Sequence, residues 1–257
     1  MATTTYGSAS PVPHVHIDNA AECRQHFRDV PSILLCASVP YRLDQKNRDP
    51  DDWPELQNWN RRFIDQARPD RIRAAISALT RVALGHGMRI VFGAHPSISP
   101  MMLRVAQDMD ATPRSILIFQ SEAFWGHFPQ STLALANWHA GCLVTTTMQS
   151  EPSNARRFPK SLDHMRNLMA AVPGTAGAVF VGGMNGVERE AEIVARTNIK
   201  RYAIASTGSA AEALFDGNPQ DFCGTLNAMD SSLLVDSQAY TVVASKIVQD
   251  ILLMPTP

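Results

Sequence analysis

The sequence lacks the features that mark membrane, secreted and nucleic-acid-binding proteins. It has no run approaching the roughly 18 consecutive apolar residues that a membrane-spanning helix needs. The segment 1–13 is polar and rich in Ser and Thr, without the basic region and apolar stretch of a secretory signal. Its 23 basic and 24 acidic residues nearly balance, whereas a dedicated nucleic-acid surface normally brings a basic excess. We therefore expect a cytoplasmic protein whose partners include neither nucleic acids nor membranes.

Metal-binding and disulfide patterns are missing as well. The four cysteines are scattered along the chain and contain no CxxC pair, which leaves no zinc spacing and no disulfide framework. The histidines form no HxxxH-type pair that could hold a metal from one helix. The sequence therefore predicts reduced thiols, no metal and no cofactor.

What the sequence does have is a regular alternation of short apolar runs with amphipathic helical segments. Short apolar runs bounded by turn-forming residues are typical of buried parallel strands. The predicted strands are 33–37, 89–92, 115–119, 142–146, 177–181 and 202–205. The predicted helices are 19–28, 55–66, 70–84, 99–109, 132–138, 162–172, 186–196, 210–215 and 237–253.

This alternation predicts an α/β fold, a Rossmann-like three-layer sandwich with a mostly parallel sheet of about six or seven strands. Residues 1–17 are expected to form a flexible N-terminal arm. Residues 18–257 are expected to form a single domain, because nothing in them marks a second one.

Small residues follow several of the predicted strands. Ligands of open parallel sheets bind beyond the carboxyl ends of the strands, where small residues let backbone amides approach an anion such as phosphate. The simpler interpretation of any one such turn is that glycine makes it tight, and a lone loop histidine is usually a structural one. Because several such turns occur in one sheet, we expect a binding crevice that includes Ser38, Gly93, His95, Ser121, Thr207, Gly208 and Ser209.

The stretch 177–190 is the richest of these segments, with an apolar strand, a glycine turn and a helix that has an acidic first turn. Its glycines fall as GGxxG, which is not the dinucleotide pattern GxGxxG, and no P-loop lysine is present. The turn residues expected to contact a ligand are Gly182, Gly183, Met184, Asn185 and Gly186. We expect Gly183→Val to abolish ligand binding and to leave thermal stability nearly unchanged.

Two charged residues occupy inward positions on predicted helices. Arg166 lies between Leu162 and Ala170 on the apolar arc of its helix, and Glu190 lies at the edge of the apolar face of the next helix. A charge on such a face must reach solvent, pair with a partner or meet a ligand. The alternatives are a structural pairing for Arg166 and a favourable interaction with the helix dipole for Glu190.

The arginine-bearing helix over 162–170, the following strand and the residues Gly182, Gly183, Gly186 and Glu190 together resemble the SLOG superfamily. That superfamily includes the Lonely Guy-type phosphoribohydrolases, whose signature is an arginine-bearing helix, a strand and PGGxGTxxE. The resemblance covers roughly residues 32–253 in layout and implies that 18–257 is one SLOG-like Rossmann domain. It also implies that Arg166 and Glu190 are the catalytic residues if the protein is an enzyme.

This sequence departs from the enzyme signature at three places. Val181 stands where the proline should be, Met184-Asn185 lengthens the spacing between glycines, and Val187 replaces the threonine. These differences make the chain more similar to the divergent SLOG groups of bacterial conflict systems, which are implied to sense nucleotide-derived signals.

Three functions remain open on this evidence. The leading one is the binding or sensing of a small nucleotide-derived ligand, such as an ADP-ribose- or cyclic nucleotide-like signal in antiphage defence. The alternative is an N-glycosidase or phosphoribohydrolase that cleaves the base–ribose bond of a nucleotide, with Glu190 and Arg166 at the reacting bond. A structural interaction module is the third. The resemblance further implies a homo-oligomer and an effector protein as a possible partner.

Overall fold

The computed structural model describes residues 14–40, 62–151 and 158–253. Seven strands form one sheet in the order β1-β5-β4-β3-β2-β6-β7, and every pair of neighbouring strands is parallel. The strands are β1 (His14–His16), β2 (Ser32–Ser38), β3 (Arg89–Phe92), β4 (Ile116–Ser121), β5 (Gly141–Thr146), β6 (Thr175–Gly182) and β7 (Lys200–Ile204). The predicted α/β class with a parallel sheet is confirmed.

Helices connect the strands and cover both faces of the sheet. They are α1 (Ala20–His26), α2 (Pro69–Gly85), α3 (Ser99–Asp108), α4 (Gln130–Asn137), α5 (Pro159–Ala170), α6 (Asn185–Val194), α7 (Ser209–Gly217), α8 (Ala228–Asp236) and α9 (Tyr240–Leu252). Residues 62–66 are also helical, and the remainder of the helix predicted over 55–66 lies outside the described residues. The sequence did not predict α8, because Leu234 is its only buried residue and no apolar stripe marks it.

Two hydrophobic clusters lie on opposite faces of the sheet. One is formed with α2, α3, α4, α8 and α9, and the other with α1, α5, α6 and α7. Along β2 the side chains alternate between them, since Ile33 and Leu35 join the first cluster while Leu34 and Cys36 join the second. The result is the predicted three-layer sandwich, with helices on both faces of a buried sheet.

The N-terminal part of the described chain departs from the prediction. Residues 14–17 were expected to belong to a flexible arm, but His14–His16 form the edge strand β1, parallel to β5, and Ile17 is fully buried. A strand of three residues with two histidines presents no apolar run, so its pairing with β5 could not be read locally. The prediction was wrong for these residues, and 1–13 lie outside the described ranges.

Strands β2 and β6 are neighbours, and the helices that lead to their partner strands β3 and β7 lie on opposite faces of the sheet. The helix α2, which precedes β3, packs on one face, and the helix α6, which follows β6, packs on the other. Diverging connections of this kind open a crevice outside the carboxyl ends of the two strands, which is where ligands bind in open α/β sheets. Ser38 and Gly182 are paired in register at the carboxyl ends of these strands, where such a crevice is expected.

In the part of the chain that the structure describes, no helix combines the length and the apolar character needed to cross a membrane. The four cysteines are buried and free.

Candidate functional site

The turn after β6 is held in place by the strands beside it. The Gly182 amide donates to Thr207 Oγ1 at 2.9 Å, and the Gly183 amide donates to the carbonyl of Ser38 at 2.9 Å. Both glycines have positive φ, 56° at Gly182 and 90° at Gly183, a conformation that favours glycine. Two of the amides expected to approach a ligand are therefore engaged by the protein itself.

Gly183 also has no room for a side chain. A Cβ there would lie 2.3 Å from Val187 Cγ2. The expectation that Gly183→Val would spare thermal stability is therefore wrong, because the valine would be strained by φ and would overlap Val187. The substitution should therefore lower thermal stability, whatever its effect on ligand binding.

The beginning of α6 has no side-chain cap and carries a buried polar atom without a hydrogen-bond partner among the described residues. Met184 is its N-cap residue and provides no side-chain cap, so the first amides of the helix lack the partner that a Ser, Thr or Asp would supply. Asn185 Oδ1 is buried and has no hydrogen-bond partner within the described residues. An uncapped helix N-terminus carries partial positive charge and suits an anion.

Arg166 reaches this helix start from α5. Side chains of a helix lean toward its N-terminus, which at α5 means toward the carboxyl edge of the sheet. Arg166 Nη2 lies 3.2 Å from the position that a Cβ of Gly186 would occupy, so the guanidinium packs against the first turn of α6. Its side chain is 14% exposed, and Nε finds no hydrogen-bond acceptor among the residues described. A buried guanidinium with an unused donor is poised for a further partner.

Glu190 faces Arg166 from the second turn of α6. Its Oε1 lies 3.7 Å from Arg166 Nε, too far for a hydrogen bond, and its side chain is 13% exposed. Burial raises the pKa of Glu190 above its usual range, although the charge of Arg166 partly offsets this. The thiol of Cys36 on β2 adjoins the carboxylate, and burial together with Glu190 raises the pKa of that thiol. The sequence predicted Arg166 and Glu190 but not Cys36, which reads there as an ordinary strand residue.

A second ion pair joins α5 to α6 beside these residues. Arg189 donates to Asp163 through Nε, at 3.1 and 3.0 Å, and through Nη2 at 2.6 Å. Arg166 Nη1 makes a longer bond of 3.4 Å to the same carboxylate. The sequence missed both residues, although the spacing of Asp163 and Arg166 at i and i+3 is a signal for that contact.

The polar side chains of the turn after β7 are hydrogen-bonded to other parts of the protein. Thr207 Oγ1 donates to the carbonyl of Ile204 at 2.6 Å in addition to accepting from Gly182, and Ser209 Oγ donates to the carbonyl of Phe63 at 2.6 Å. Gly208 has a φ of 78°, and a Cβ there would lie 2.2 Å from the carbonyl oxygen of Gln66. These residues lie next to the crevice, but their polar side chains already have internal partners.

The other predicted contact residues lie along the same edge of the sheet. Ser38 and Ser121 end β2 and β4, and Ser121 Oγ accepts from the Ala123 amide at 3.3 Å. Gly93 follows β3, and a Cβ there would contact the Met165 side chain at 3.4 Å. All of them are placed where parallel strands end, and their contact with a ligand remains a prediction.

His95 is held as a neutral imidazole. The amide of Ser97 donates to its Nδ1 at 3.3 Å, and Ser97 Oγ lies 2.8 Å from the same nitrogen. Burial lowers the pKa of His95 to about 4. With Nδ1 as the acceptor, Nε2 carries the proton, so His95 can offer a neutral N–H donor at the end of β3.

The aromatic residues Phe124, Trp125 and Phe128, which follow β4, are not fully buried. Trp125 is 51% exposed and contacts Phe128 edge-on with ring centroids 5.6 Å apart. Phe124 contacts Phe158, the residue before α5, also at 5.6 Å. These rings lie at the carboxyl edge of the sheet, on the side of β4 and β5.

Comparison of the sequence with models of known families identifies the family of this chain. The model of the SLOG cluster3 family matches residues 62–236, which is more than half of the chain. The chain belongs to the SLOG cluster3 family. No curated protein matches the sequence.

SLOG membership suggests a nucleotide-related ligand-binding or glycosidase-like role. The matched residues include Arg166, Glu190 and the turn after β6, whereas β1 and β2 precede them. In this SLOG chain two of the three departures, Val181 and Val187, are buried, one inside β6 and the other against Gly183. The positions that carry proline and threonine in the Lonely Guy-type signature are thus part of the apolar core here.

Proposed function

We propose that this SLOG protein binds a small nucleotide-derived ligand in the crevice between β2 and β6. Its anionic group would lie between Arg166 and the first turn of α6. The observation that carries this proposal is the buried Arg166 guanidinium, which packs against an uncapped helix start and whose Nε makes no hydrogen bond among the described residues. A phosphate would accept from both donors, and charge-assisted bonds of this kind are among the strongest available to a protein.

Glu190 supports a nucleotide rather than an inorganic anion. A carboxylate 3.7 Å from the same guanidinium would repel a phosphate placed directly against it, but it accepts readily from ribose hydroxyls. The pairing of an anion site with an acceptor therefore favours a phosphorylated sugar. Asn185 Oδ1 adds a second unpaired acceptor within the described part of the site.

Calorimetric titration with AMP, NAD, ADP-ribose and a cyclic dinucleotide tests the proposal. We expect at least one of them to bind to the wild-type protein, and the same ligand to bind the Glu190→Gln variant more weakly. Arg81→Ala is the matched control, because Arg81 is a surface arginine on α2 paired with Asp108 and lies outside the crevice. Absence of binding for all four ligands would contradict the proposal.

A second function, N-glycosidic cleavage, is favoured by one observation. Burial raises the pKa of Glu190, so this residue can hold a proton near neutral pH more readily than an exposed glutamate. In such a hydrolysis, water would supply a hydroxyl to the ribose carbon and a proton to the departing base. Chromatography of AMP and NAD after incubation would detect the free base, and loss of turnover in Glu190→Gln with binding retained would support an enzyme.

The finer role that we propose is the sensing of an ADP-ribose- or cyclic nucleotide-like signal in bacterial antiphage defence, as a homo-oligomer that acts on an effector protein. The departures at Val187 and at Met184-Asn185 support sensing over hydrolysis, because in the enzymes the threonine and the tight glycine spacing help to grip the phosphate. Light scattering with and without ligand tests the oligomer, and a monomer mass in both states would refute it.

A further inference from the structure

Arg166 has two carboxylates within reach, and a ligand must compete with both. Glu190 lies 3.7 Å from Arg166 Nε, and Asp163 lies 3.4 Å from Nη1. Asp163 is one helical turn before Arg166 on α5, a spacing at which opposite charges attract. A full pairing with Asp163 would occupy guanidinium donors that an anionic ligand needs.

In the structure, the Asp163 carboxylate is hydrogen-bonded mainly by Arg189. It makes three hydrogen bonds of 3.1, 3.0 and 2.6 Å to the two oxygens of Asp163, whereas Arg166 makes one bond of 3.4 Å. Burial acts to raise the pKa of Asp163, but the bonds from Arg189 outweigh this and lower it. The carboxylate is therefore ionised and held mainly by Arg189, on the opposite helix.

We propose that Arg189 is a positioning residue that keeps Arg166 available to an anionic ligand by holding Asp163. This inference rests on the proposed function, since it concerns the same anion site. Arg189 itself is more than one-third exposed and is directed at Asp163 and Glu192 rather than at the start of α6. Its effect on the ligand is exerted through Asp163 and Arg166.

A double-mutant cycle on Arg189 and Asp163 tests the proposal. Arg189→Ala should weaken binding of the best ligand among AMP, NAD, ADP-ribose and a cyclic dinucleotide by about tenfold, because the freed Asp163 takes Arg166. Asp163→Asn alone should not weaken binding. The double variant should return to the affinity of Asp163→Asn, a rescue that a structural role for Arg189 would not produce.

Two controls separate positioning from simple loss of positive charge. Arg62 pairs with Glu188 on α6 at 2.8 Å, so Arg62→Ala removes a cation beside the same helix without releasing Asp163. It should leave affinity within about twofold. The ratio between wild type and Arg189→Ala should also persist in about 1 M salt, where the Debye length is about 3 Å and through-space effects are screened.

Each outcome decides between the two proposals. If the wild type binds a ligand and Arg189→Ala binds equally well, or if Asp163→Asn fails to rescue it, the positioning role is overturned while the proposed function stands. An equal loss in Arg62→Ala assigns the effect to charge and also overturns it. If the wild type binds none of the ligands, the proposed function fails and this inference fails with it. Arg189→Gln repeats the cycle if the alanine variant melts early.

Discussion

The turn after β7 and the start of α6 lie side by side at the carboxyl edge of the sheet, and they use their polar groups in opposite ways. At the first, Thr207 and Ser209 bond to Ile204, Gly182 and Phe63, so the turn is closed on the protein. At the second, Arg166 Nε and Asn185 Oδ1 are buried without hydrogen-bond partners inside the described ranges, although Nε lies 3.7 Å from Glu190 Oε1. Small residues after a strand indicate close approach to the backbone. At the turn after β7 the approaching groups belong to the protein, whereas at the start of α6 we propose that a ligand approaches.

The largest effect that we expect concerns the closed turn. Gly208 combines a φ of 78° with a ψ of −170°, which is a region that only glycine occupies, and a Cβ would overlap the Gln66 carbonyl. Gly208→Ala should lower the free energy of unfolding by about 3 kcal/mol. Denaturant unfolding measures this, and ligand affinity per folded molecule should stay constant. A stable variant that binds poorly would contradict the comparison.

Arg166→Ala should show the opposite pattern. It should weaken binding of a phosphorylated ligand by roughly 1.5–3 kcal/mol, the usual contribution of a hydrogen bond to a charged group. Thermal stability should fall less than in Gly208→Ala, because the bond to Asp163 is long and the buried Glu190, which loses its counter-charge, has a raised pKa and can take up a proton. Calorimetry and thermal melting measure both quantities. A clear loss of stability with unchanged affinity would show that Arg166 is a structural residue.

A smaller pair of effects sharpens the contrast between individual side chains. Thr207→Val leaves the buried amide of Gly182 without its acceptor and should cost about 2 kcal/mol of stability. Asn185→Ala removes an acceptor that has no hydrogen-bond partner in the described structure. It should therefore leave the free energy of unfolding unchanged and lower only the affinity for the ligand. Equal losses of stability in both variants would show that the polar groups of the two turns are equally engaged within the protein.

The smallest expected effect is a pH dependence at Glu190. Its pKa is raised in the folded state, so the folded protein holds this proton more tightly than the unfolded chain does. The wild type therefore carries no penalty below the ordinary value of 4.5, and it loses stability relative to Glu190→Gln as pH rises through the higher folded pKa. Melting temperatures of the two proteins across acidic to neutral pH measure this difference. A difference in melting temperature that does not vary with pH would mean that the pKa of Glu190 is not raised in the folded protein.

Much of the fold was predictable because its signals are local. Strand β3 was predicted at its observed bounds, and the ends of α2 differ by one residue each, since apolar periodicity and turn residues mark both elements. Strand β1 and helix α8 were missed because a three-residue polar strand and a helix with one buried side chain carry no such periodicity. The order of strands was not predictable, since no local signal states which strands are neighbours.

The candidate site divides in the same way. The sequence by itself determined that Arg166 and Glu190 lie on inward faces of successive helices, because the 3.6-residue period assigns each residue to a face. Only the tertiary structure decided that Arg189 holds Asp163, that Cys36 lies beside Glu190, and that the turn after β7 is closed. These are contacts between groups on different elements, and their existence depends on how the elements pack rather than on the spacing of residues within any one of them.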